Sequence, residues 1–144
     1  MSGPELTIGR GVIAEMRALA PQWLEGCALR DCWFEPTFHK HVGKLCAGVQ
    51  IHTEGPEYDQ AAFRPWRLQA LAFKAIRRLA RDYPLWRDFP YEYEVGKLAI
   101  DVINGGPALR EWVDDPAAAP GELDALTTPD EDAWRDARAE YLLY

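Results

Sequence analysis

Apolar positions that recur every three or four residues predict two long helices. The first covers about residues 12–24, and Pro21 should end or kink it near Ala20, because proline cannot donate an interior helical hydrogen bond. The second covers 65–82, with an apolar stripe on one side and its late arginines outside that stripe. Both helices have the pattern of elements that bury one face.

Alternation and β-forming residues predict strands between and after these helices. Residues 28–34 and 46–53 have the strongest pattern, and the polar stretch 35–44 between them, with Pro36 and Gly43, is predicted as a loop. In the second strand Gly48, Gln50 and His52 should share one face. Residues 91–94 are typical of an edge strand, and 98–103 of another short strand.

Short helices are expected at 107–113 and 120–126. The last helix should begin at Thr128 as N-cap, with Pro129 at the first helical position and Glu131 completing a capping box, and continue to residue 144. These elements predict a single α+β domain, in which a small mixed or antiparallel sheet packs against several helices.

Composition narrows the class of protein. The chain has 144 residues, 48% of them hydrophobic and 27% charged, which fits one globular domain. A net charge of −7 argues against a general nucleic-acid binder. Six Trp, six Tyr and five Phe suit a core and also sugar-binding surfaces. The absence of a membrane span or signal peptide in the sequence as given predicts a cytoplasmic protein, although a longer protein that contained this chain could be periplasmic.

The cysteines and histidines are the first candidates for chemistry. Cys27, Cys32 and Cys46 are an odd set without framework spacing, so we expect reduced thiols. His39, His41, Cys46 and His52 are four potential zinc ligands, but they lack paired short spacings and the HExxH spacing, and a polar loop explains them equally. We therefore expect no metal and no cofactor. Nucleophilic pairs of Cys46 with His52, or Cys32 with His39, would need a third supporting group.

Carboxylates and one glycine pair complete the candidates. Glu35, Glu92, Glu94 and Asp101 could serve as general acid or base, although a solvated strand edge explains Glu92 and Glu94 as well. The tripeptide at 9–11 could present backbone N–H groups to an anion. The aromatic run at 86–93 suits a core more than a ligand platform.

Several motifs, in order along the chain, resemble one known family. They are FEPTFHKHVG at 34–43, CAGVQIH at 46–52, AFRP at 62–65, PYEYE at 90–94, IDVING at 100–105 and YLLY at 141–144. Together they resemble the C-terminal domain of the exo-β-N-acetylmuramidase family, formerly a domain of unknown function. The resemblance covers about residues 12–144, which we interpret as the domain, and residues 1–11 resemble a remnant of the family's interdomain segment.

The resemblance implies a function and a set of site residues. The family removes terminal N-acetylmuramic acid from peptidoglycan fragments, and its catalytic Glu lies in a GPEHG motif of a Rossmann-like N-terminal domain. No GPEHG occurs here, so no catalytic residue is expected in this chain. The substrate-binding residues carried over are Thr37, Lys40, His41, Gln50, His52 and Arg64. Lys40 and Arg64 suit the lactyl carboxylate of muramic acid, and Gln50 and His52 suit sugar hydroxyls or the acetamido group.

The main hypothesis is an auxiliary substrate-cleft domain that is inactive alone. Its expected partners are a muramic-acid-containing sugar or peptidoglycan fragment, the absent N-terminal catalytic domain, and a second copy in a homo-oligomer, with no nucleic acid and no membrane. One alternative is a free-standing interaction or sugar-binding module. Another is a small independent hydrolase that uses Glu92 or Glu94 with His52.

Overall fold

Helices supply most of the regular structure, and one hairpin supplies the only sheet among the described residues. The computed structural model of the protein describes residues 8–89 and 91–143. Its elements in chain order are α1 (Gly9–Leu19), a 3₁₀ turn (Pro21–Leu24), β1 (Ala28–Phe34), β2 (Cys46–His52), α2 (Pro65–Leu79), α3 (Ala99–Ile103), α4 (Ala108–Asp114), α5 (Pro120–Arg138) and a second 3₁₀ turn (Ala139–Tyr141). The prediction of one small α+β domain is confirmed.

Helix α1 starts earlier than its apolar pattern predicted, at Gly9 rather than Val12. A Cβ atom on Gly9 would lie 2.6 Å from the carbonyl oxygen of Gly48, so only glycine allows the helix to approach β2 this closely. The helix ends at Leu19, before Pro21, as the proline rule predicted.

The β1–β2 hairpin is antiparallel, and its register runs from Ala28 opposite His52 to Phe34 opposite Cys46. The predicted bounds of β1 are confirmed, and β2 ends one residue earlier than predicted. Val49 packs against the helical core, so one face of this small sheet is covered by helices. The predicted loop at 35–44 is confirmed as the connection between the two strands.

The core lies where α1, α2 and α4 meet. Met16 of α1, Leu68 and Leu71 of α2 and Val113 of α4 are almost completely inaccessible to solvent. The periodicity of α2 placed these leucines on one face, and that face is the buried one, although the helix ends at Leu79 rather than at residue 82.

Two strand predictions are wrong. Residues 98–103 contain α3, a short helix, because the carbonyl oxygen of Leu98 accepts the backbone N–H groups of Asp101 (3.0 Å) and Val102 (3.2 Å). Residues 91–94 form a tight turn in which the N–H of Glu94 donates to the carbonyl oxygen of Tyr91 at 3.0 Å. Neither segment meets a third strand among the described residues, so local hydrogen bonds decide their structure.

The C-terminal region is one helix instead of the two that were predicted. Helix α5 runs through Pro129, and Thr128 is not its N-cap. Its capping interaction lies at the start, where the backbone N–H of Ala119 donates to Glu122 Oε1 at 2.8 Å. The helix ends at Arg138 and passes into the 3₁₀ turn, so it does not continue to the end of the described chain. The predicted short helix at 107–113 is confirmed as α4, with bounds shifted by one residue.

Candidate functional site

The β1–β2 loop, residues 35–45, is closed by its own backbone. The N–H of Gly43 donates to the carbonyl oxygen of Pro36 at 3.1 Å, and the N–H of Lys44 donates to the carbonyl oxygen of His41 at 3.0 Å. Phe38 packs its ring edge against His39, with centroids 5.3 Å apart. The predicted loop is therefore folded into turns rather than extended.

His39 and His41 both have left-handed backbone conformations, with φ of 59° and 61°. This region costs a residue with a Cβ atom about 1–2 kcal/mol relative to its usual conformations. Such strain is concentrated at ligand clamps and active sites. Lys40 lies between the two strained residues.

The loop encloses a pocket of about 790 Å³. Thr37, Lys40 and His41 line it, so the structure brings together three of the six predicted substrate-binding residues. An apolar lining with a few polar groups is typical of small-molecule sites. The remaining lining residues are Phe34, Glu35, Pro36, Phe38, His39 and Cys46.

A second pocket, of about 300 Å³, lies on the other side of the same loop, between β2 and α2. Lys40 and His41 line this pocket too, and Arg87 joins them from the segment after α2. The Arg87 guanidinium lies 4.8 Å from the centroid of the Phe89 ring. Sequence reasoning missed Arg87; the available signal was a basic residue within the aromatic run at 86–93.

The other predicted binding residues lie outside both pockets. Gln50 Oε1 accepts a hydrogen bond from Arg30 Nη2 at 2.5 Å, directly across the hairpin. His52 is two residues further along β2 and shares the strand face of Gln50, as the alternation predicted. Arg64 Nη1 donates to the carbonyl oxygens of Ala61 (2.6 Å) and Phe63 (3.5 Å), immediately before α2.

The aromatic run divides between core and surface. Trp86 packs edge-on against Phe73, with centroids 5.5 Å apart, and its indole Nε1 donates to Asp114 Oδ2 at 2.8 Å. Tyr93 is 99% exposed, beside Glu92, whose φ of 53° is also left-handed. Pro90 lies outside the described residues.

Two of the four acid–base candidates are held by other groups. Glu94 pairs with Lys97 at 3.1 Å, and both oxygens of Asp101 accept hydrogen bonds from Arg110. The hydrogen bond to Asp101 is the main reason why the pKa of Arg110 is raised above its ordinary value. Within residues 8–89 and 91–143, no hydrogen bond or ion pair joins Glu92 or Glu94 to His52.

The thiol and metal candidates do not assemble either. Cys46 and His52 are at opposite ends of β2, about 20 Å apart for a strand of this length. The three cysteines are free thiols, and burial raises the pKa of Cys27. Among the described residues no group of three or more His, Cys, Asp or Glu could hold a metal ion. In the same part of the chain, no helix combines the length and apolar character that a membrane crossing requires.

The tripeptide at 9–11 is already helical, in the first turn of α1. The Nη2 atom of Arg10 lies 3.5 Å from Oδ2 of Asp31 in β1, so the two side chains form an ion pair. The N–H groups in the first turn of a helix have no partner within the helix, so the anion-binding hypothesis stays a prediction. Residues 1–7, which the interpretation of 1–11 as an interdomain remnant includes, lie outside the described residues.

Comparison with known proteins gives one match. No curated protein and no solved structure matches the chain. The model of one family, described as exo-beta-N-acetylmuramidase NamZ, C-terminal, matches residues 3–144, which is almost the whole sequence. The chain therefore belongs to the family of the C-terminal domain of the exo-β-N-acetylmuramidase NamZ.

Proposed function

We propose that this protein is an auxiliary substrate-cleft domain of a peptidoglycan-degrading exo-β-N-acetylmuramidase. It binds the terminal N-acetylmuramic acid of a peptidoglycan fragment and does not hydrolyse it alone. The observation that carries this proposal is Lys40, which lies in a strained loop and lines two adjoining pockets in a chain of the NamZ C-terminal family.

The charges near the loop support an anionic sugar as ligand. N-acetylmuramic acid differs from N-acetylglucosamine by a lactyl ether that ends in a carboxylate. Lys40 and Arg87 together line one pocket, and both can donate charge-assisted hydrogen bonds to that carboxylate. Because the chain as a whole carries a net charge of −7, an anionic ligand depends on such a local cluster of cations.

The carboxylates support a role in binding rather than hydrolysis. Glycosidases of the common type place two carboxyl groups on either side of the glycosidic bond. Here Glu35 lines the larger pocket, while Glu94 and Asp101 are engaged by Lys97 and Arg110. We therefore assign the catalytic groups to a separate catalytic domain, with which this domain forms the cleft.

The first experiment measures hydrolysis by the purified 144-residue chain. A chromogenic β-N-acetylmuramide is incubated with the chain, and the released chromophore is followed against a sample without protein. We expect no release above that background. Release that persists through further purification, and disappears in Glu35→Gln or Glu94→Gln, would overturn the assignment of catalysis to another domain.

The second experiment tests recognition of the carboxylate through Lys40. Affinities for N-acetylmuramic acid and N-acetylglucosamine are measured by NMR titration for wild type, Lys40→Ala and Lys44→Ala. Loss of a charge-assisted hydrogen bond costs about 1.5 kcal/mol or more in binding free energy. Lys40→Ala should therefore weaken the binding of N-acetylmuramic acid about tenfold and leave the affinity for N-acetylglucosamine almost unchanged.

Lys44 is the matched control, because it belongs to the same exposed loop but lines neither pocket. Lys44→Ala should therefore bind both sugars like wild type. Equal losses in the two variants would indicate a general effect of loop charge, and equal affinity of wild type for the two sugars would contradict carboxylate recognition.

A second copy of the chain is the other partner that we propose. The support for it is an exposed apolar face on α5, far along the chain from the β1–β2 loop. Self-association through this face does not require sugar binding, so each proposal can be tested without the other.

A further inference from the structure

The apolar face of α5 continues beyond the point where the domain covers it. Leu123 is buried against the core, whereas every residue from 128 to 143 is exposed. At about 100° of rotation per residue, positions 123, 126, 130, 134, 137 and 141 lie on one face of the helix and its 3₁₀ extension. The face that anchors α5 is therefore the same face that emerges uncovered.

This emerging face carries large apolar side chains. Trp134 is 66% exposed and Tyr141 76%, and Leu126, Leu142 and Leu143 are also exposed. Aromatic side chains bury about 150–250 Å² each when they are covered. Leu126 lies on the same face, and Leu142 and Leu143 follow just beyond the 3₁₀ turn, so these side chains together supply a large part of the roughly 800 Å² that each partner buries in an interface of standard size. Isolated surface apolar residues are ordinary, but a continuous stripe of this kind marks an interaction surface.

The charges on the stripe are arranged symmetrically about Trp134. Asp130 precedes it by four residues, and Arg138 follows it by four. Neither side chain forms an ion pair within the part of the chain that the structure describes. The acidic residues Asp132 and Asp136 fall on the other side of the helix, away from the stripe.

We propose that two copies of the chain associate through α5, with the two helices antiparallel and crossing at Trp134. In this arrangement Asp130 of each copy faces Arg138 of the other, giving two equivalent ion pairs on either side of a Trp134–Trp134 contact. A parallel arrangement would instead place Asp130 against Asp130, which is unfavourable. The stripe is thus self-complementary in one direction only, as a twofold interface requires.

The ends of the helices also match in the antiparallel arrangement. Leu126 of one copy then lies near the C-terminal end of the other copy, where Leu142 and Leu143 follow the 3₁₀ turn. A groove of about 500 Å³ opens beside Leu126, and the exposed side chains of Trp66 and Ile103 line it. The C-terminal leucines of the second copy enter this groove, which gives it an occupant of matching chemistry.

Reversing the charges at Asp130 and Arg138 tests the proposed dimer, because the double reversal should restore what each single reversal disrupts. The dissociation constant of the dimer is measured by sedimentation velocity over a wide range of protein concentration. Asp130→Arg and Arg138→Asp should each weaken the wild-type dimer about tenfold or more, because each places like charges opposite one another. The double variant, Asp130→Arg with Arg138→Asp, restores both pairs and should recover the wild-type constant.

Two further variants separate the stripe from general effects of charge and folding. Asp136→Arg makes the same charge change on the back of the helix and should leave the dimer intact. Trp134→Ala removes the central contact and should give a monomer with the circular dichroism spectrum and unfolding midpoint of a folded domain. A wild-type chain that stays monomeric at the highest concentration overturns the proposal, and so does a double variant that fails to recover association.

Discussion

Lys74 is the only charged residue in the buried set among the residues that the structure describes, at 1% exposure. Its Nζ atom donates to the carbonyl oxygens of Trp112, at 2.6 Å, and of Asp115, and lies 4.8 Å from the Trp112 ring centroid. The lysine thereby satisfies backbone groups at the C-terminal end of α4 and ties that helix to α2. Burial lowers the pKa of its ammonium group, and the nearby Asp115 opposes this shift.

We expect Lys74→Met to lower the free energy of unfolding by about 1–3 kcal/mol, because two buried carbonyl oxygens lose their donor. The loss should grow as the pH rises through the lowered pKa towards 10.5, the ordinary value. In that window the folded wild type has released its desolvated proton while the unfolded chain still holds it, so wild type gains stability that methionine cannot gain.

Urea unfolding at neutral pH and near pH 10.5 measures both effects. Lys97→Met is the matched control, since Lys97 is an exposed lysine in a surface ion pair with Glu94. The control should change stability by less than about 0.5 kcal/mol. A pH-independent difference between wild type and Lys74→Met would show that the lysine does not titrate as its burial implies.

At the scale of elements, one arginine on a neighbouring helix contacts α5 on both sides of Pro129. Arg67 of α2 donates from Nε to Asp124 Oδ1 at 2.6 Å and from Nη2 to Thr127 Oγ1 at 3.1 Å, both before Pro129. Its Nη1 donates to Glu131 Oε1, and Nη2 also donates to Glu131 Oε2 at 3.2 Å, after the proline. These contacts span the missing hydrogen bond that Pro129 imposes on the helix. The hydrogen bond with Glu131 is the largest reason why the pKa of Arg67 is raised.

Arg67→Ala should therefore loosen α5 on the C-terminal side of Pro129. We expect a loss of about 1–3 kcal/mol in the free energy of unfolding and faster amide hydrogen exchange in residues 130–138, measured at a concentration where the chain is monomeric. Arg135→Ala removes an exposed pair with Asp132 on the same helix and serves as control. Equal exchange rates in the two variants would contradict the bridging role of Arg67.

The elements also explain which predictions from sequence succeeded. The hairpin was predictable because alternation in β1 and β2 is bounded by Gly26, Pro36 and Gly43, so local signals and tertiary structure agree. The helix α3 was not predictable, because a short, mostly apolar run such as residues 98–103 fits a strand or a helix equally. The prediction that α5 divides at Pro129 followed the local preference of proline and was wrong. The ion pair of Arg67 with Glu131, 64 residues apart in sequence, is a contact that this local preference cannot reveal.

At the scale of the whole molecule, the site was only partly predictable for a similar reason. Thr37, Lys40 and His41 come from one loop, and that loop could be identified from its motif. Arg87 reaches the same place from beyond α2, and no spacing rule links residues so distant in the chain. The fold class needed less information, because it follows from the number and type of elements rather than from their arrangement.

The left-handed backbone at His39 and His41 has a consequence for how tightly the proposed sugar ligand would be held. A loop that must be ordered on binding consumes part of the contact energy, whereas a loop already constrained has met that cost during folding. The stability of the hairpin and core thus holds Lys40 in position before any ligand arrives. Replacing either histidine with glycine would relieve the strain of the positive φ, but it would also give the backbone more conformations, so Lys40 would be held less firmly. In this loop, a less strained backbone would therefore give a less well-ordered, and so weaker, binding site.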